Sequence, residues 1–154
     1  MTELEKIVVT AAFTILGGVI VYVFGQVLSK FFIDPLHDLL RTVGEVRFIL
    51  AFHARTIHTP IGRSKEKSDK AQEALMNSSC ELIAKLHAIP LYKSTRLLSF
   101  GVLPYKKAIE DAAVQLRGLS TYMHEEGKEA ADSIKVINAR VEKIERLLSI
   151  KALL

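Results

Sequence analysis

The sequence predicts an all-α protein, with one N-terminal transmembrane helix followed by a cytoplasmic bundle of about four helices. Three observations predict it. The 22 residues from Ile7 to Leu28, IVVTAAFTILGGVIVYVFGQVL, carry no charge. Beyond them, apolar residues recur at three- and four-residue steps in segments bounded by Pro, Gly and short polar stretches. No segment alternates apolar and polar residues as a half-buried strand would. The chain is therefore divided into residues 1–33, a short tail and the span, and residues 34–154, the bundle.

At about 1.5 Å per residue the uncharged stretch makes a helix of roughly 33 Å, which covers a hydrocarbon core of about 30 Å. A cleaved signal peptide would need a basic start and a small-x-small site ahead of a polar chain. Here the start is Met1-Thr2-Glu3-Leu4-Glu5-Lys6 and the exit is Ser29-Lys30-Phe31-Phe32, so the stretch is read as retained. Lys6 alone precedes it, beside Glu3 and Glu5, whereas Lys30, Arg41 and Arg47 follow it. Basic residues favour the inner side. The N-terminus is thus expected outside and the C-terminus in the cytoplasm, in a bacterial inner membrane.

Within the span, Ala11, Gly18 and Gly25 recur every seven residues, and Thr14 lies four before Gly18. Small residues on one face let a second backbone come close, and a seven-residue repeat suits left-handed parallel pairing. The expected partners are therefore the lipid bilayer and further copies of the chain. In a ring of copies, that face or the polar Thr10, Thr14 and Gln26 would line a pore.

The bundle follows in order. Asp34-Pro35 combines a good N-cap with a proline suited to N1, and predicts a kink or restart. From Leu36 to about Ile57, Leu36, Leu39, Leu40, Val43, Val46, Leu50 and Ile57 form a helical stripe among charges too numerous for a second span. Residues 58–67 read as a loop, and Ser68-Asp69 as the cap of the next helix. That helix carries Ala71, Leu75, Ser79, Leu82, Leu86 and Ile89 to Pro90. Pro104 at N1 is expected to open a helix with Ala108, Ala112, Leu116, Leu119 and Met123 inward, ended by Gly127. The last helix, Lys128 to about Ile150, places Ala130, Ile134, Ile137, Val141, Ile144 and Leu148 on one stripe, suited to packing within the chain or against a partner. An antiparallel bundle satisfies all four stripes.

If the first bundle helix leads away from the membrane and the second returns, the Pro90–Pro104 connection comes back to the bilayer. It holds one short helix, expected at Ser94 to Phe100. Its Tyr92, Lys93, Arg96, Leu97, Leu98 and Phe100, with Tyr105, Lys106 and Lys107 just beyond, mix aromatic, apolar and basic side chains as an interfacial segment does. The alternative is an inter-helix loop that plugs the bundle end.

Charge and chemistry narrow the function. The net charge is +4, with signs interspersed through residues 29–67 and from 128 onward, which fits an anionic leaflet and argues against nucleic acid. The lone cysteine, Cys80, suits a reducing compartment and is expected as a small buried helix residue. Of the five histidines, His37, His53, His58, His87 and His124, no pair has the i, i+4 spacing of a helical zinc site. No phosphate loop, nucleophile elbow or paired-carboxylate motif is present, so no metal or cofactor is expected. His124 sits at an expected helix end, where the dipole favours it.

Two pairs, Arg47-x5-His53 and Arg117-x6-His124, fall on expected helices. They resemble the Arg–His motif of HEPN-type ribonucleases, small helical domains that include membrane-bound accessory proteins of RNA-targeting CRISPR systems. That resemblance implies RNA cleavage by Arg47 with His53 or Arg117 with His124. Phe48 and Gly118, however, follow the two arginines where that family usually has a polar residue. The alternative is that Arg47 and His53 serve the bundle surface or a buried hydrogen bond.

The order of span, Phe31-Phe32-Ile33-Asp34-Pro35-Leu36, Ile89-Pro90-Leu91-Tyr92, Leu98-Ser99-Phe100-Gly101-Val102-Leu103-Pro104 and Ala113-Val114-Gln115-Leu116-Arg117-Gly118-Leu119-Ser120 resembles a recurrent type of bacterial single-pass membrane protein with a cytoplasmic helical bundle. It covers nearly the full length and implies no activity. The expected function is a membrane-anchored, self-associating scaffold or adaptor that docks a cytoplasmic protein, more a binding protein than an enzyme. A pore-forming membrane effector and a divergent HEPN-like ribonuclease are the alternatives.

Overall fold

The computed structural model describes residues 2–59, 64–99, 103–124 and 128–149, with residue 98 and residues 128–132 in backbone only. Helix α1, Glu3–Leu28, begins where the Thr2 N–H donates to the Glu5 carboxylate at 2.8 Å, an N3 acid reaching back to the helix start. Its residues are all exposed. Among the described residues, none buries an apolar side chain of α1.

Of the kink or restart expected at Asp34-Pro35, the restart does not occur. A π turn, Ser29–Ile33, carries α1 directly into α2, Asp34–Phe52, and Asp34 keeps helical angles of φ −60° and ψ −49°. The Asp34 N–H reaches back to the Ser29 carbonyl, one residue further than in an α-helix. In a regular helix the Pro35 ring would press on the carbonyl four residues earlier, and the wider turn relieves that clash. The result is one uninterrupted helix, Glu3–Phe52, of 50 residues and roughly 75 Å.

His53, at φ −94° and ψ 8°, ends α2, and a short α3, Ala54–His58, follows. The single helix expected to Ile57 is thus divided, but Ile57 is still fully buried. Helix α4, Lys65–Ala88, starts earlier than Ser68-Asp69 would have it. Ser64 flanks it in extended conformation and accepts the Lys67 and Ser68 N–H groups. Ser68 lies one step before Ala71 on the inward stripe and is itself buried.

Helix α5 is Tyr92–Leu98, close to its expected place. Helix α6, Lys106–Ser120, begins after Tyr105 rather than at Pro104, and a 3-10 turn, Thr121–His124, extends it. Helix α7 is Lys128–Leu147. The terminators expected at Gly127 and Ile150 and the side chain of Ala130 lie outside what is described.

Four long helices, α2, α4, α6 and α7, form the bundle, and no strand occurs among the described residues. Lys85 near the end of α4 meets Asp38 near the start of α2 at 3.1 Å, so these two run antiparallel. His124, after α6, meets Gln72 near the start of α4 at 2.7 Å, which sets α6 antiparallel to α4. Arg140 of α7 donates to Gln115 of α6 at 2.8 Å.

The expected stripes make the core. Leu39, Val46 and Leu50 from α2, Leu75, Leu82 and Leu86 from α4, Leu116 and Leu119 from α6, and Ile137, Ile144 and Leu148 are all buried. Ile109 and Ala113 join them on α6. Three buried hydroxyls find carbonyls: Ser79 donates across to Ala113 at 2.8 Å, and Thr42 and Ser78 donate one turn back. Cys80, expected inside, is exposed. It follows Ser79 by one residue, about 100° round the helix from the buried face.

Leu82→Ala opens a cavity at the centre of this core and is expected to cost about 2–5 kcal/mol. Phe48→Ala removes an exposed side chain and should stay within about 0.5 kcal/mol. Urea unfolding of the two variants in detergent, followed by helical ellipticity, compares them.

Candidate membrane interface

The segment after α4 is built from a tight reversal. Leu91 adopts φ 48°, a left-handed conformation that costs a non-glycine residue on the order of 1–2 kcal/mol. Its carbonyl accepts the N–H groups of Ser94 and Thr95 at 2.8 and 3.1 Å, while the Thr95 hydroxyl donates to the Pro90 carbonyl at 3.1 Å. The strained residue is thereby locked at the head of α5.

Helix α5 is fastened on its inner side. The Tyr92 hydroxyl donates to the Pro104 carbonyl at 2.8 Å, and Arg96 Nε donates to the Leu103 carbonyl at 3.1 Å. The Arg96 guanidinium also lies 3.6 Å from the Tyr105 ring centre, a cation–π contact. Burial pushes the Tyr92 phenol up to about 12.

The outer side of α5 carries the opposite character. Leu91 and Leu97 are 72% and 82% exposed, and Tyr105 is 66% exposed. Lys93, Lys106 and Lys107 point to solvent around them. Residues 89–109 contain four basic residues, Lys93, Arg96, Lys106 and Lys107, and no acidic one. The rest of the chain has seventeen of each sign, so the whole formal net charge sits in this segment. Phe100 lies outside the described residues.

The fold sets this segment beside the apolar helix. Thr95 and Ser99 face Leu28, Phe32, Ile33 and Leu36 across a groove of about 330 Å³. Residues 59 to 71 apart in sequence thus converge at the junction of α1 and α2. Lys30, exposed in the π turn, adds a cation at the same level.

No family model, curated protein or solved structure matches this chain.

Arg47 is exposed on α2, and His53 is partly buried at its end, edge-on to Phe52 with ring centres 5.0 Å apart. Partial burial holds the His53 pKa below the ordinary histidine value. Arg117 is exposed on α6, and His124 lies 2.7 Å from Gln72 and 3.4 Å from Asp69. Among the described residues no hydrogen bond or ion pair joins Arg47 to His53, or Arg117 to His124. Thr14 and Thr10 turn their hydroxyls onto their own helix, donating to the carbonyls of Thr10 and Lys6 at 2.9 and 2.8 Å. Ala11, Gly18 and Gly25 are exposed.

Sequence reasoning missed the seat of Arg140. Its guanidinium packs where a Gly118 Cβ would be, donates to Gln115, and lies 5.6 Å from the Tyr122 ring centre. An unexplained glycine inside an amphipathic helix was the available signal. The groove residues Leu36, Thr95 and Ser99 were also not singled out together, because only the return of α4 brings them together.

Tyr92→Phe removes the bond to Pro104 and should cost about 0.5–1.5 kcal/mol at pH 8. The buried phenol resists ionisation, so its contribution is complete below the unfolded value near 10 and is lost as pH rises towards 12. The wild-type urea midpoint is therefore expected to fall between pH 10 and pH 12 more steeply than that of Tyr92→Phe.

Proposed function

We propose that this chain is a membrane-anchored, self-associating scaffold, with α1 crossing a bacterial inner membrane and the bundle on its cytoplasmic face. The observation that carries the reading is the uninterrupted helix Glu3–Phe52. Its first half is long and apolar enough to span and has none of its residues buried by the described fold, and its second half is a wall of the bundle core. An anchor on a flexible linker would leave the bundle free to tumble. This one fixes the bundle's tilt and rotation relative to the span.

The glycines support self-association. A Cβ added at Gly17, Gly18, Gly25 or Gly44 would meet nothing within 4 Å, so packing within the chain does not call for them. Each costs the helix about 0.5–1 kcal/mol relative to alanine. A close neighbouring helix offsets that cost. The π turn extends the argument beyond the span. From Gly25 to Gly44 a regular helix would drift about 100° out of line, and the extra residue of the turn takes back about 100°. Gly44 then continues the face of Ala11, Gly18 and Gly25, followed by exposed Phe48, which stacks on Phe52 at 5.6 Å.

On this reading α1 and the outer face of α2 meet a second copy. The outer faces of α4, α6 and α7 stay open to a cytoplasmic protein partner. The threonine hydroxyls spent on their own helix support pairing rather than a polar pore lining.

Two measurements test this. Exposed Cys80 is expected to react with a membrane-impermeant maleimide in inverted vesicles and not in right-side-out ones; the reverse pattern would sink the orientation. Gly18→Leu with Gly25→Leu, and separately Gly44→Leu, should each weaken self-association in detergent by on the order of tenfold, about 1.4 kcal/mol. Sedimentation of wild type as a strict monomer would remove the self-association reading.

A further inference from the structure

We infer that the groove between α5 and the α1–α2 junction holds an acyl chain of an anionic phospholipid from the leaflet facing the bundle. The inference rests on α1 spanning the membrane and goes beyond it, from general anchoring to a defined lipid site.

The walls select the ligand. Leu28, Phe32, Ile33 and Leu36 supply one side, and Thr95 and Ser99 the other. Both hydroxyls are committed as donors, Thr95 to the Pro90 carbonyl and Ser99 to the Arg96 carbonyl at 2.9 Å. The two hydroxyls thus have no donor left for a polar molecule, and apolar cavities hold water poorly. With α1 in a bilayer, Leu28 is the last residue of the span, and the nearest apolar molecules are the surrounding chains.

Charge selects the head group. Thr95 and Ser99 belong to the acid-free 89–109 segment, whose Lys93, Lys106 and Lys107 are exposed, and Lys30 lies at the same level on the turn that carries Phe32 and Ile33. Basic residues held at the membrane surface attract anionic lipid by about 1 kcal/mol each. Exposed Leu91 and Leu97 lie beside them, where insertion into the head-group zone would cover them.

The chain contains no tryptophan, so a single introduced one reports its own surroundings. Full-length Leu36→Trp is reconstituted in vesicles whose phospholipids are brominated on the acyl chains, either anionic phosphatidylglycerol or neutral phosphatidylcholine. Val19→Trp at mid-span and Val114→Trp on the outside of α6 are the references. Strong quenching at Leu36→Trp is expected with the anionic lipid and less with the neutral one. Adding Ser99→Phe, which fills the groove, should bring it down to the level of Val114→Trp while Val19→Trp stays quenched. Ellipticity confirms that the filled variant is folded, and Ser99→Leu replaces it if it is not.

Quenching at Leu36→Trp no greater than at Val114→Trp, with Val19→Trp quenched, would overturn the lipid site and leave the span intact. Quenching that survives the filled groove would also overturn it, as contact with bulk lipid. Equal quenching by both lipids would overturn the anionic selection. Loss of quenching at Val19→Trp would instead overturn the span.

Discussion

The rest of the structure hangs on the continuity of one backbone hydrogen-bond ladder through Pro35. A proline inside a helix removes a donor and crowds the carbonyl four residues back. Here the π turn at Ser29–Ile33 absorbs the crowding by shifting one bond to the residue before. The helix therefore continues, and the apolar half and the core half share one axis. Each 100° step round that axis matters, because α2 buries Leu39, Val46 and Leu50 on one side only. The single extra residue sets which face of α1 stands above which face of the bundle.

The other helices follow from that axis. Helix α4 must cover the stripe of α2, and antiparallel packing brings its end back beside the start of α2, where Lys85 meets Asp38. That pair is exposed and of small energetic weight, but it reports the register. The chain then has to turn within Ile89–Leu91, beside the π turn, before α6 can cover α4. The left-handed Leu91 makes that turn, and the bonds of Tyr92 and Arg96 to the Leu103 and Pro104 carbonyls tie it to the backbone that leads into α6. Helix α5 is thus held at the base of α1 by both of its flanking connections.

Much of this was legible in the sequence, and the reason is direct. Burial on a helix repeats every 3.6 residues, so the stripes through Leu75, Leu82 and Leu86, and through Ile137, Ile144 and Leu148, announce their faces before any partner is known. The misread positions share a different cause. Asp34-Pro35 was judged by the average behaviour of a residue before proline, which holds for regular helices and not beside a π turn. The usual burial of cysteine favours an inward Cys80, but its angle, one residue past Ser79 on the stripe, turns it to solvent. Pro104 was assigned to N1, yet its carbonyl is held by Tyr92 and the helix begins after Tyr105. The seat of Arg140 on Gly118 and the groove around Leu36 depend on register between helices, which no single-helix pattern encodes.

The distribution of charge shows what the fold adds to the sequence. Read along the chain, the basic run of residues 89–109 and the apolar run of α1 are unrelated segments separated by two helices and a loop. Folding brings Thr95 and Ser99 of the basic segment to Leu28 at the end of the apolar helix, across one groove. A span alone fixes depth but leaves a helix free to rotate about its own axis and to tilt. A second attachment beside the first removes that freedom. In the proposed membrane setting, α5 supplies it, and the rigid α1–α2 axis transmits it to the far end of the bundle, roughly 30 Å beyond the π turn. Orientation there then depends on two short segments near the bilayer, neither of which packs in the centre of the core.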